Sequence, residues 1–209
     1  ALLTPMLKSY FTERGYETAS WAQQIFGGHG YIREHGMEQF VRDARIAMLY
    51  EGANGIQALD LVGRKLPTGY ERLLRRFVHP IDQFLRENMA DAKIGKDYVQ
   101  PLAKAFARFQ TASAFVAEQG LKNADEAGAA SADYLKLFAL VALGYMWARM
   151  AKAAHEKLAN GDGGDKAFLQ TKLVTGRYFM ERVLPDTASL LARVQAGSRT
   201  MMELDAAAF

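Results

Sequence analysis

The sequence predicts an all-α protein assembled from helical bundles. Apolar residues recur every three or four positions through nearly the whole chain, the spacing of one helix face. No stretch shows the strict apolar–polar alternation of a half-buried strand. Glycine and proline clusters at Gly27-Gly28, Pro67, Gly95 and Asn160 to Gly164 punctuate the periodic segments.

The first helix is expected to open with Thr4 as N-cap and Pro5 at the first helical position. It carries Leu7, Tyr10, Phe11, Tyr16, Trp21 and Ile25, and stops at Gly27-Gly28. A loop with His29, Arg33 and His35 follows, and Gly36 precedes a second helix. That helix reads to Leu49 through Phe40, Val41, Ala44, Ala47 and Met48. A third runs from about Asn54 to Lys65 and is expected to end before Pro67. These helices leave apolar faces uncovered, to be packed on the rest of the chain, on parts outside it or on another copy.

Thr68-Gly69-Tyr70-Glu71 fits a capping box that opens a new helix, with Pro80 expected to kink or split it. After Gly95, Asp97 with Gln100 is expected to cap a helix bearing Val99, Leu102, Phe106, Phe109, Phe115 and Val116. A polar stretch from Lys122 to Ala130 leads to Ser131 and the most apolar segment of the chain. There Tyr134, Leu137, Phe138, Val141, Leu143, Tyr145, Met146 and Trp147 cover nearly all sides, as in a central helix. Asp165 caps the last long helix, which Pro185 kinks before Leu190, Leu191 and Val194. Residues 1–66 and 67–209 are thus expected to be two units, the second a four-helix-like, up-down bundle.

Composition narrows the function classes. Half of the 209 residues are hydrophobic and 23% are charged, an ordinary globular balance. The net charge of +3 is spread among acidic residues, which argues against a nucleic-acid partner. Arg72, Arg75, Arg76 and His79 form a basic run that reads as a solvated face. Without cysteine there is neither a disulfide nor a thiolate metal site, in keeping with a reducing, cytoplasmic location. The longest apolar run, Leu135 to Trp147, is shorter than a bilayer span, and no export signal is visible, so a soluble protein is expected. The opening Ala1-Leu2-Leu3 lacks an initiator Met, as in a piece of a longer protein.

Two glycine clusters carry the chemistry. The stretch Arg42-Asp-Ala-Arg-Ile-Ala-Met-Leu-Tyr50-Glu51-Gly52-Ala53-Asn54-Gly55-Ile-Gln57 joins two helices through a tight turn, with Tyr50-Glu51 at the corner. A carboxylate at a helix C-terminus opposes the macrodipole, and rule-breaking charges often mark functional sites. A solvated glutamate at a frayed helix end accounts for the same residues. Upstream, Gln23-Gln24-Ile25-Phe26-Gly27-Gly28-His29-Gly30 lets the backbone turn sharply and approach a ligand without Cβ interference, or simply forms a C-cap and loop. Arg42, Asp43 and Arg45 most simply make structural ion pairs. His29 and His35 lack a third ligand nearby, so no metal site is expected.

In this order and spacing, the glycine turn, Arg-Asp-Ala-Arg and Tyr-Glu-Gly resemble the C-terminal helical domain of flavin-dependent acyl-CoA dehydrogenases. Leu3-Thr4-Pro5 and Asp60-Leu-Val-Gly-Arg-Lys65 look more like the large-subunit branch that includes the methylmercaptopropionyl-CoA dehydrogenases. The likeness is close over the first third; the remainder corresponds to that branch's extra helices. It implies α,β-dehydrogenation of an acyl-CoA thioester, with Glu51 as the base that takes the α-proton and hydride passing to FAD. Tyr50 and Gly52 would line the acyl site. Gln24, Ile25, Phe26, Gly27 and Gly28 would meet the adenosine-pyrophosphate half of an FAD held largely by a neighbouring subunit. Ala53, Asn54 and Gly55 would approach the flavin, although Ala53 stands where many members carry Thr, and Gly55 where they carry Gln. A carboxylate gains basicity when apolar surroundings desolvate it. The resemblance further implies a homo-oligomer and an electron-transfer flavoprotein as acceptor. The family's N-terminal helical and middle β-domains have no counterpart in these residues, so this chain alone is expected to be colourless and inactive. An acyl-CoA oxidase, or a non-catalytic helical assembly module, would carry the same stretch.

Overall fold

The computed structural model describes residues 2–161 and 164–208, with side chains described throughout except at 68–71 and 206. Its described elements are helices joined by turns, as the periodicity predicts. Helix α1, Leu3–Ile25, begins one residue before Thr4, with Leu2 already in helical conformation and no side-chain cap. Thr4 therefore does not cap it. Pro5 falls in the first turn instead, where its missing N–H has no intrahelical partner to lose.

Leu2, Met6 and Tyr10 at the start of α1 join a single core cluster with residues of the C-terminal bundle. The short helix α2, Gly28–Tyr31, and a 3₁₀ turn, Arg33–His35, lead to α3, Met37–Ile46. α3 packs along α1 and ends three residues short of Leu49. Its last carbonyls are taken by the N–H groups of Met48, Leu49 and Tyr50 in successive turns.

The chain then runs helically from residue 54 to 88, which corrects the expected stop before Pro67. Helix α4, Asn54–Asp60, passes through a widened π turn, Leu61–Lys65, into α5, Leu66–Gly69. A second π turn, Tyr70–Leu74, leads into α6, Arg75–Asn88. In the first π turn the Leu66 N–H donates to the Leu61 carbonyl. This wider bonding gives the Pro67 ring room where a regular helix would clash. The backbone is helical across 68–71, so no new helix starts there; the side chains of the expected capping box lie outside the described residues. Pro80 sits inside α6 without dividing it.

After α6 the Asp91 carboxylate accepts from the N–H groups of Lys93 (2.7 Å) and Ile94 (3.0 Å). These bonds hold it below the usual carboxylate range, that from Ile94 most. Asp91, not Asp97, is thus the residue that orders this corner. Asp97 lies 3.9 Å from Arg177 on another helix. A π turn, Gly95–Val99, leads into α7, Gln100–Lys122, and Asn123 caps α8, Ala124–Asn160, by accepting from the Asp125 N–H. α8 therefore begins seven residues before Ser131, within the stretch read as polar. Its first turns are alanine-rich, and alanine is the strongest helix former.

α8 is the axis of the fold. It packs against α7, α9 (Lys166–Tyr178) and α10 (Thr187–Gln195), and α1 and α4 dock on it as well. Over its 37 residues it is long and apolar enough to cross a membrane by length and composition. Of its most apolar window, 56% is buried inside this bundle, as expected of a core helix. Phe77, Phe109, Tyr134 and Phe138 interlock there, with Phe77 and Phe138 edge-to-face at 4.5 Å between ring centroids. The expected cap of α9 is present: Asp165 accepts from Ala167 and Phe168 N–H. Pro185 lies in a 3₁₀ turn, Leu184–Asp186, that redirects the chain into α10. A last short helix, α11, Arg199–Met202, follows Ser198, which Glu126 holds through both its N–H (3.1 Å) and hydroxyl (2.6 Å).

Candidate active site

Between the end of α3 and the start of α4 the backbone folds over at Tyr50-Glu51-Gly52. Glu51 adopts φ +55° and Gly52 φ +86°, so two consecutive residues are left-handed. Among the described residues Glu51 is the one non-glycine with positive φ. L-residues resist this conformation at about 1–2 kcal/mol each, and such strain gathers at functional sites. Gly52 meets the requirement without penalty. A Cβ there would also come 2.9 Å from the Gln57 amide nitrogen. Glu51 stands clear of the helix C-terminus, so the macrodipole conflict read from the sequence does not arise. Its irregularity lies in the backbone.

A polar net ties this turn to α1. Lys8 Nζ donates to the Gly52 carbonyl (2.7 Å) and to Asn54 Oδ1 (3.0 Å). Thr12 Oγ1 also reaches Asn54 Oδ1 (3.2 Å), and Asn54 Nδ2 donates to the Ser9 carbonyl (3.1 Å). From the other side Gln57 Nε2 donates to the carbonyls of Glu51 (3.0 Å) and Gly52 (3.4 Å). Sequence reasoning missed Lys8, Thr12 and Gln57. The available signal was slight: Lys8, Ser9 and Thr12 share an α1 face, and Gln57 closes the motif stretch.

Tyr50 and Glu51 project into solvent, whereas Gly52, Ala53 and Asn54 are half-buried. The Ala53 carbonyl accepts the Gln57 N–H at 3.0 Å, so this position already anchors the first turn of α4. Gly55 is exposed beside it. The nearby Asp60 carboxyl is held below its usual range chiefly by the hydrogen bond from Arg64, which keeps it paired rather than available as a base.

The glycine loop lies at the other end of α1. From Ser9 to Gln24 is about 22 Å of helix axis, so the chain does not bring the loop to Glu51. Gly27 adopts φ +59°, ψ −143°, a region open essentially to glycine. Gly30 is locked in place: a Cβ would sit 2.3 Å from the Gln23 carbonyl oxygen, and Gln23 Nε2 donates to the Gly30 carbonyl (3.2 Å). Gly28 faces open space, and Gln24 is exposed. Ile25 is 84% exposed and Phe26 half exposed, an uncovered apolar tip continued by Trp21, Tyr31 and Phe40.

One further expectation changes. Among the described residues Arg42, Asp43 and Arg45 form no ion pair. Asp43 accepts instead from Gln39 Nε2 (2.7 Å), and Arg45 lies over the Tyr16 ring, 5.6 Å from its centroid. His29 Nδ1 and His35 Nε2 lie 3.2 Å apart, within hydrogen-bond distance, between exposed rings. Arg72, Arg75, Arg76 and His79 are all exposed, as the solvated-face reading expects.

Comparison with known proteins gives this geometry a context. Residues 2–66 match the family model "Acyl-CoA dehydrogenase, C-terminal domain", and residues 77–205 match "Acetyl-CoA dehydrogenase C-terminal like". The 3-methylmercaptopropionyl-CoA dehydrogenase of Ruegeria pomeroyi is 37% identical over 92% of this chain and 32% of its own length. The broad-specificity linear acyl-CoA dehydrogenase FadE5 of Mycobacterium tuberculosis is 28% identical over 100% of this chain and 35% of its own. The caffeyl-CoA reductase-Etf complex subunit CarC of Acetobacterium woodii is 39% identical over 29% of this chain and 16% of its own. The chain thus spans about a third of the length of the first two relatives. It belongs to the acyl-CoA dehydrogenase family and carries that family's C-terminal helical region.

Proposed function

We propose that the whole protein is an FAD-dependent acyl-CoA dehydrogenase and that this chain contributes its base, Glu51. The observation that carries the reading is the left-handed Glu51-Gly52 turn, which presents an accessible carboxylate on a strained, hydrogen-bonded corner. The α-hydrogen of a thioester is weakly acidic. Glu51 accepts it as a proton while the β-hydrogen leaves as hydride and the Cα–Cβ double bond forms. Bound FAD supplies the hydride acceptor. Tyr50 flanks the acyl chain, and the Glu51 N–H donates to the thioester oxygen, where negative charge develops.

The residues of the glycine loop suit the cofactor's phosphate-bearing half. Gly28 leaves its approach clear of side chain, and Gln24 offers an amide donor. The distance along α1 between this loop and Glu51 favours service to an FAD of a neighbouring subunit, in a homo-oligomer that covers Ile25, Phe26 and Tyr31. Two relatives are named as dehydrogenases, and a third, named a reductase, is a subunit of an Etf complex, which supports electron-transfer flavoprotein over oxygen as acceptor. Residues 1–66 act as the catalytic helical segment and 67–209 as the supporting bundle.

Replacing Glu51 with Gln in the whole protein tests this. Acyl-CoA binding and flavin content should persist while turnover falls by at least about 100-fold, because the amide cannot accept the α-proton. Turnover at the wild-type rate would refute the assignment.

A further inference from the structure

Glu51 is poorly held by its own side chain. Among the described residues no hydrogen bond or ion pair to its carboxylate is present, so its direction is set by the backbone beneath it. That backbone is in an unfavourable left-handed conformation, which persists only where surrounding groups over-determine it. The groups that do so converge on the next carbonyl, Gly52, from two sides: Gln57 from within α4 and Lys8 from α1, 44 residues away in sequence.

Lys8 is an unusual choice for a merely structural contact. It is half-buried, and among the described residues it makes no ion pair. Its ammonium is directed at two neutral oxygens, the Gly52 carbonyl and Asn54 Oδ1. Charge-assisted hydrogen bonds of this kind are stronger than neutral ones. Asn54 then passes the restraint on: its N–H bonds the Met48 carbonyl (3.3 Å), and its amide bonds the Ser9 carbonyl. One ammonium thereby connects the residues before and after Glu51 to the rigid start of α1, itself buried against the bundle.

We infer that Lys8 is a positioning residue for the base: through Gly52 and Asn54 it fixes the turn that aims the Glu51 carboxylate at the substrate α-carbon. The inference rests on Glu51 being the base. Lys8 touches neither substrate nor cofactor in this scheme and acts only through the turn.

The test is made in the whole protein with Lys8→Met, Lys8→Gln and Lys8→Arg, alongside Glu51→Gln. Lys8→Met removes the donors but keeps most of the packing. A displacement of the carboxylate by about 1 Å costs on the order of 100-fold in rate. The expected result is therefore a kcat, per bound flavin, lower by about that factor, with KM and flavin content within about twofold of wild type. Lys8→Arg should recover part of the loss, since a guanidinium can still donate to both oxygens. If Lys8→Met does not fold, the same comparison is read from Lys8→Gln against Lys8→Arg. A kcat per flavin within about twofold of wild type in the folded Met or Gln variant overturns the inference. So does a loss confined to flavin content or melting temperature, which marks a structural role alone. The two assignments fail separately. An inactive Glu51→Gln beside a normal Lys8→Met sinks only the positioning role, whereas an active Glu51→Gln sinks the base and the positioning role with it.

Discussion

Lys8 Nζ lies 2.7 Å from the carbonyl oxygen of Gly52, and this bond fastens the Glu51-Gly52 turn to α1, 44 residues upstream. The turn is thereby tied to the helix that docks on α8. Glu13 and Lys136, paired at 3.4 Å, reinforce that docking at its edge.

Gly52→Ala should distort the turn. The new Cβ would occupy φ +86° and press on the Gln57 amide 2.9 Å away, which also loosens the bonds from Gln57 to Glu51 and Gly52. A loss of about 1–3 kcal/mol is expected in a denaturant titration of this chain.

The glycine loop should respond differently at two neighbouring positions. Gly30→Ala forces a methyl to 2.3 Å from the Gln23 carbonyl and should lower the melting temperature of the chain. A Cβ at Gly28 meets no protein atom within 4 Å, so Gly28→Val should leave that temperature nearly unchanged, while flavin occupancy of the whole protein falls because the cofactor's approach is blocked. Unchanged occupancy would mean the loop is a turn and nothing more.

The aromatic centre of the bundle should dominate stability. Phe138 is fully buried between Phe77 and Phe109, and Phe138→Ala should cost about 3–5 kcal/mol through lost transfer energy and the cavity left behind. Urea unfolding followed by circular dichroism measures this directly.

His155 on α8 should give the fold a mild dependence on pH. Burial pushes its pKa below 6.5, and the positive charges of Lys93 and Arg177 push the same way against Asp91. The cleft around it also holds Asp97 from the π turn, with Lys152 and Glu156 on α8 itself. Because the folded pKa is lowered, the unfolded chain takes up the proton first as pH falls. Stability should therefore decline as pH drops from about 6.5 to the folded pKa, then level off. His155→Gln should flatten that window, and an NMR titration of the ring should show its pKa below 6.5.

The parts of this molecule that depend on neighbouring residues were legible in sequence. The Asp165 cap, the breaks at Gly27 and Gly161, and the all-round apolar character of α8 each follow from a few adjacent residues. What was hidden depended on distant partners or on backbone alternatives. Pro67 reads as a stop, yet a π turn, invisible to a 3.6-residue period, carries the helix through it. Glu51 was singled out for its charge, but its left-handed backbone is sustained by Lys8, whose own stretch of α1 offers only the slight hint of a shared polar face.

The most direct test of Glu51 as base is stopped-flow reduction of the flavin by acyl-CoA in the whole protein, wild type against Glu51→Gln, with both enzymes carrying equal flavin. Proton removal and hydride departure accompany one another, so the amide variant should leave the flavin oxidised over at least about 100 wild-type half-times. Bleaching of the Glu51→Gln flavin at the wild-type rate would show that another group takes the α-proton.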